Sequence, residues 1–256
     1  MSEVLTPSEA FKHAAKEGER RLDQSLLELL STGFIAGFTI VFGIIGLGLV
    51  HGVFGAGSGA AGELAGALAF ALGVVFLVVG RAELFSENFF DPVAALVQNK
   101  QPSGVPKLLR LWGVTFALNL IGGGLFALVF AVDGVLPTAA LEALASFAEE
   151  IAERNSLAHL FKGIAGGALV ILLSFLLAAS TSLGSRIALS FMTGFLLELG
   201  PFDHVVVTGL HLIVGMLSGA EVGGWTFAQS LTLVTAGNLM GGLGLVTMTH
   251  IAQAKG

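Results

Sequence analysis

Six stretches of this 256-residue chain are apolar for as long as a bilayer's hydrocarbon core is thick, and that narrows the possible folds most. A spanning helix needs about 20 mostly apolar residues. Residues 32–53, 62–84, 107–132, 157–180, 187–217 and 225–250 meet that length. Hydrophobic residues make up 54% of the chain and charged ones 12%, whereas a soluble domain carries roughly 25% charge. Lipid is therefore the expected solvent, and the chain reads as an all-α, multi-pass membrane protein. A net charge of −6 leaves no basic patch for a nucleic acid. Cysteine is absent, which removes disulfides and thiolate metal sites. No metal or other cofactor is expected.

The second and fifth stretches are not clean spans. The second runs into GRAELFSENFFDP at 80–92, which carries Arg81, Glu83, Glu87 and Asp91. The fifth is too long for one simple span and is interrupted by Gly200-Pro201. Lys12, Lys16, Arg20 and Arg21 precede the first span, and Lys100, Lys107 and Arg110 lie between the second and third. Arg186 and Lys255 continue the alternation, so both termini are expected in the cytoplasm. The opposite loops hold Glu63, Glu221 and an acidic patch of Glu142, Glu149, Glu150 and Glu153, relieved by Arg154 and Lys162. Residues 1–30 read as a cytoplasmic amphipathic helix opened by a capping box, Thr6 and Glu9, with Pro7 at its first position. Its apolar face runs through Phe11, Ala15, Leu22, Leu26 and Leu29. Residues 133–156, outside the cytoplasm, carry a similar stripe through Leu141, Leu144, Ala148 and Ile151.

An internal repeat organises the six spans. NLIGG at 119–123 recurs as NLMGG at 238–242. Glu83 lies thirty-six residues before Asn119, and Asp203 thirty-five before Asn238, each inside an interrupted second helix of its half. The chain from 31 to 256 is thus expected to be three helices repeated, with halves at about 31–132 and 157–252. An odd number of spans per half inverts the second relative to the first. Paired broken helices in corresponding positions point to a transporter's binding site. Charge and non-helical backbone survive at membrane depth only where protein or a water-filled cavity shields them.

At these residues the chain resembles the formate/nitrite transporter family. AELFSEN at 82–88 is similar to the family's loop signature in the second helix, GPFDH at 200–204 to the acid-then-histidine motif of the fifth, and GNLMGG at 237–242 to the signature of the sixth. The C-terminal stretch suggests its YfdC-like branch. The resemblance implies an aquaporin-like homopentamer in a bacterial inner membrane, with one pore per protomer for small monovalent anions such as formate or nitrite, often moving with protons. It also implies roles: His204 as the central histidine, Ser86 as the loop hydroxyl that bonds it, and Asp203 as the adjacent acid. Phe70, Val74 and Leu197 would form the constriction. Gly167 and Thr208 stand where the family has asparagines, and Arg81 and Glu198 put charge where members are usually apolar. Substrate range is therefore not inherited with the family.

Read from the residues, His204 is either a pore group, since modest surroundings decide its charge, or a structural tie between loops. Asp203 is expected to orient its loop by accepting backbone N–H bonds. Asn119 and Asn238 are expected to bond the backbone of the interrupted segments. His211, two turns past His204, lines the vestibule or packs against the sixth span. Arg81 needs a partner, expected to be Glu198 or Glu83 on the same membrane side. Competing readings are a neutral-solute pore (with no Asn-Pro-Ala filter to support it), a cation path over Glu83, Glu87, Asp91, Glu198 and Asp203, and a non-conducting scaffold. Without a nucleophile–base pair or a phosphate loop, an enzyme is not expected.

Overall fold

The structure, a computed structural model, describes residues 5–55, 59–100 and 102–255. Among them every regular element is helical. Five helical stretches are long and apolar enough to cross a membrane. They are α2 (Leu26–Phe54), α3 (Gly59–Val79), the stretch ending in α5 (Val105–Phe130), α7 (Ser156–Ala178), and the stretch that begins with α10 (Gly224–Asn238) and ends with α11 (Met248–Lys255). A nine-residue π-helical run, Leu239–Thr247, joins α10 to α11. Where the fifth span was expected lie two shorter helices, α8 (Leu183–Leu199) and α9 (Val205–Leu217). After α3 comes a 3-10 turn, Ser86–Phe89, and the short α4 (Asp91–Asn99).

The N-terminal helix α1 (Pro7–Leu22) has the capping box in full: Thr6 Oγ1 accepts from Glu9 N, and Glu9 Oε2 accepts from Thr6 N at 2.9 Å. It ends sooner than the stripe to Leu29 suggests. Ser25 caps a new helix by accepting from Glu28 N at 3.2 Å, so Leu26 belongs to α2 and is exposed. The helix α6 (Thr138–Ala152) buries Leu144, Ala148 and Ile151 against α2 and α9, leaving Leu141 only half-buried. Thus α1 covers one face of the bundle and α6 the other.

Glycine lets the long helices touch backbone to backbone, the small-residue packing that membrane interiors favour. A Cβ on Gly37 of α2 would collide with the Asn119 carbonyl of α5, and one on Gly167 of α7 with Asn238. These two contacts bring each asparagine within reach of an interrupted segment.

Candidate functional site

The end of α3 explains the first interruption. Ala82 N donates to Leu77 O at 3.1 Å and Arg81 N to Val78 O at 3.2 Å, a Schellman ending. Arg81 occupies its left-handed position at φ 54°, normally a glycine's place, and its side chain is exposed. Beyond it the chain cannot continue as helix, and Asn119 takes over its backbone groups. Asn119 Oδ1 accepts from Phe85 N at 2.9 Å, and its Nδ2 donates to Glu83 O and Gly33 O, both at 2.9 Å. Glu83 N donates to Thr32 O at 3.3 Å.

The same four bonds recur at the second interruption. Asn238 Oδ1 accepts from Val205 N at 2.9 Å, and its Nδ2 donates to Asp203 O and Gly163 O, both at 2.8 Å. Asp203 N donates to Lys162 O at 3.0 Å. Pro201 supplies no N–H, and Gly200 is extended, which ends α8. His204 then caps α9, its Nδ1 accepting from Val207 N at 3.4 Å. Its Nε2 is hydrogen-bonded to Ser86 Oγ in the first interruption. Both side chains are almost wholly buried. This bond joins the two interruptions directly.

Above it, toward α6, opens a cavity of about 350 Å³. His204, Thr208 and His211 line it along α9, and Leu197 and Glu198 along α8. Phe70 and Val74 do not line it: Phe70 is fully buried behind His211 (ring centroids 6.0 Å apart), and Val74 packs at Gly194 of α8. Of the three residues expected at a constriction, only Leu197 faces this cavity.

Three expectations are corrected here. Arg81 pairs with neither Glu83 nor Glu198. Glu83 Oε1 instead accepts from Arg20 at 3.2 Å and from Gln24 at 3.0 Å, and its Oε2 lies 3.5 Å from Arg21. Glu198 is on the opposite side of the bundle from Arg81, lining the α6-facing cavity with its Oε2 3.4 Å from His211 Nε2. The carboxylate of Asp203 accepts from Arg154 at 3.0 and 3.2 Å rather than from backbone N–H groups. Glu83 and Asp203 share a reason: each carboxylate meets an arginine brought from an element distant in sequence. The cation path also loses support, since Glu83, Asp91 and Asp203 are each paired with arginine.

The arginines that matter on the α1 face, Arg20 and Arg21, read in the sequence only as loop-charge markers. Arg21 reaches Asn88 Oδ1 at 3.1 Å and Asp91 Oδ2 at 3.5 Å. Burial pushes the Arg21 guanidinium down, but the carboxylates of Glu83, Asp91 and Glu87 outweigh it and raise it further above its ordinary range. In the sequence Arg154 reads only as one of the two cations that relieve the acidic patch.

Glu17 fastens the same corner. Burial pushes its carboxyl up, but the hydrogen bond from Arg20 and the charges of Arg21 and Arg20 prevail and hold it below the usual carboxylate range. A depressed carboxyl stabilises docking fully above that range and loses the contribution as pH falls through its lowered value. Both partners lie on α1 itself, so Glu17 acts on docking through the arginines that reach Glu83 and Asp91. Docking should therefore weaken as pH falls through that lowered value. The native chain has no cysteine, so spin labels on Lys12→Cys and Gln98→Cys would report the separation of α1 from α4. An acid-induced lengthening that disappears in Glu17→Gln is expected; a lengthening that persists there would exclude Glu17 as its cause.

The formate/nitrite transporter family model matches residues 8–252. The chain is 24% identical over 264 aligned positions to the inner membrane protein YfdC of Escherichia coli (strain K12), covering 100% of this chain and 82% of that protein. Among solved structures it is similar to an FNT family ion channel, with TM-score 0.82 at 16% identity over 95% of this chain and 98% of the other. It is also similar to a pentameric formate channel with formate bound, with TM-score 0.66 at 20% identity over 93% and 97%. At these identities the two structures establish the fold alone.

Proposed function

We propose that this chain, which belongs to the formate/nitrite transporter family, lets small monovalent weak-acid anions such as formate and nitrite cross a bacterial inner membrane. The family is one of transporters, not enzymes. In this reading α3 with α4, and α8 with α9, are the interrupted second and fifth of six spans. The halves at 31–132 and 157–252 form an inverted repeat, which the duplicated asparagine bonding supports. Residues 1–30 and both termini lie in the cytoplasm, and 133–156 joins the halves outside it. A homopentamer is the expected assembly, as in the formate channel the chain resembles.

The observation that carries the reading is the Ser86–His204 hydrogen bond at the base of the α6-facing cavity. An anion moved bare through an apolar collar faces an idealised cost on the order of 20 kcal/mol. A neutral acid avoids most of that cost, and the Ser86 hydroxyl, held in place by the His204 imidazole, supplies a hydrogen bond where water is excluded. Phe70, Val74 and Leu197 make the collar; Thr208 adds a hydroxyl one turn above His204. The N-terminus of α9, aimed at the same point, favours negative charge. Asp203, Glu83, Asn119 and Asn238 act on the shape of the interruptions and do not touch the anion.

Purified protein in liposomes, challenged with formate, nitrite, hydrosulfide, lactate and acetate at two pH values, tests this. Flux of at least one anion above protein-free vesicles is expected. His204→Asn keeps a capping acceptor for α9 but removes the imidazole, and should lower flux about tenfold, the equivalent of one hydrogen bond in a dry site. Five silent anions from folded protein would refute transport.

A further inference from the structure

His204 has no proton to offer the cavity. Its Nδ1 accepts from the Val207 N–H, which places the single ring hydrogen on Nε2, directed at Ser86 Oγ. Ser86 does not line the cavity. A weak acid must nevertheless gain its proton before the collar, because the charged form is the one the collar rejects.

A second imidazole is placed for that task. His211 lies seven residues along α9 from His204, about 10 Å toward the mouth on the same side. It is held between Phe70 and Phe147, with ring centroids 6.0 and 6.3 Å away. Its Nε2 faces Glu198 Oε2 at 3.4 Å, close enough for one proton to sit between them. Both side chains border the cavity. The other charged or titratable groups there are His51 from α2, Glu63 from α3, Glu150 and Arg154 around the end of α6, and Lys162 from α7. Asp203 completes the set, with its carboxylate engaged by Arg154. Among the described residues, only Glu198 is within ion-pairing distance of His211.

The geometry points to His211, positioned by Glu198, as the group that hands a proton to the anion on the α6 side. This deepens the transport reading above and rests on it. The step balances: the imidazolium N–H bond of His211 breaks, and an O–H bond forms on formate or nitrite. Neutral acid moves past Ser86 and His204, and water in the cavity returns a proton to His211. On the α1 side the acid releases its proton to water, so one anion and one proton cross together.

Formate uptake into proteoliposomes, read with a trapped pH dye over about pH 5 to 8, tests the relay across the range where an imidazole changes charge. Wild-type uptake should exceed what dissolved neutral formic acid alone supports. His211→Gln should fall to that solution-limited line, which drops about tenfold for each pH unit in this range. Glu198→Gln, which removes the carboxylate oxygen facing His211 Nε2, should lower the relayed uptake while leaving more of it than His211→Gln does. His204→Asn should lower the rate without changing the profile's shape. Superimposable profiles for wild type, His211→Gln and Glu198→Gln would overturn the relay and leave transport standing. If wild type passes none of the five anions at any pH, transport falls and the relay with it.

Discussion

Asn238→Leu is expected to unfold the protein at markedly lower temperature, not merely to slow it. The side chain satisfies Val205 N, Asp203 O and Gly163 O, and it is fully buried. Leucine fills similar space and leaves three backbone groups without partners. Each buried unpaired group costs about 1–3 kcal/mol, so even the low end approaches about 3 kcal/mol. For a chain of this size that corresponds to a fall in Tm of roughly 6–12 °C. Asn119→Leu should cost about as much, because Phe85 N, Glu83 O and Gly33 O depend on it in the same manner. Thermal unfolding followed by size exclusion decides the matter. A Tm within about 2 °C of wild type would mean these backbone groups find other partners.

The second large effect is expected at Arg21. Removing one member of a buried ion network costs about 3–5 kcal/mol, because its partners remain charged and unpaired. Arg21→Met abandons Glu83, Asp91 and the Asn88 side-chain oxygen Oδ1 together. Arg20, also paired with Glu83, is half-exposed; Arg20→Met should cost no more than about 1 kcal/mol. Adding Glu83→Gln to Arg21→Met should recover part of the loss, as coupled neighbours do in a double-mutant cycle. Equal effects of the two arginine substitutions would contradict the role given to burial. Cleavage between α1 and α2 by protease, at neutral pH, provides a second readout of the loosened dock.

Much of this architecture can be read along the chain because its causes are local. Thr6, Pro7 and Glu9 announce the start of α1, and the helical spans follow from apolar length. The two Asn-hydrophobic-hydrophobic-Gly-Gly motifs mark the asparagines that brace the interruptions. What stayed hidden depends on distance. Glu83 meets Arg20 across sixty-three positions, and Asp203 meets Arg154 across forty-nine. No local pattern tells a carboxylate which of several cations will be folded onto it. Arg81 misled for another reason: its requirement is for backbone, as the left-handed end of α3, and its charge stays outside. His204 was legible as a polar group at an interruption, but not as the cap of α9, because that depends on where Pro201 and Gly200 stop α8.

The close seams at Gly37 and Gly167 restrict how this molecule can move. With carbonyls resting where side chains would normally act as padding, neither α2 against α5 nor α7 against the end of α10 has room for a piston-like slip. Each asparagine, moreover, tethers its interruption to the seam beside it. Widening the throat by spreading helices would break both tethers at once. Any change of shape there is therefore left to the swing of individual side chains inside a frame that holds still.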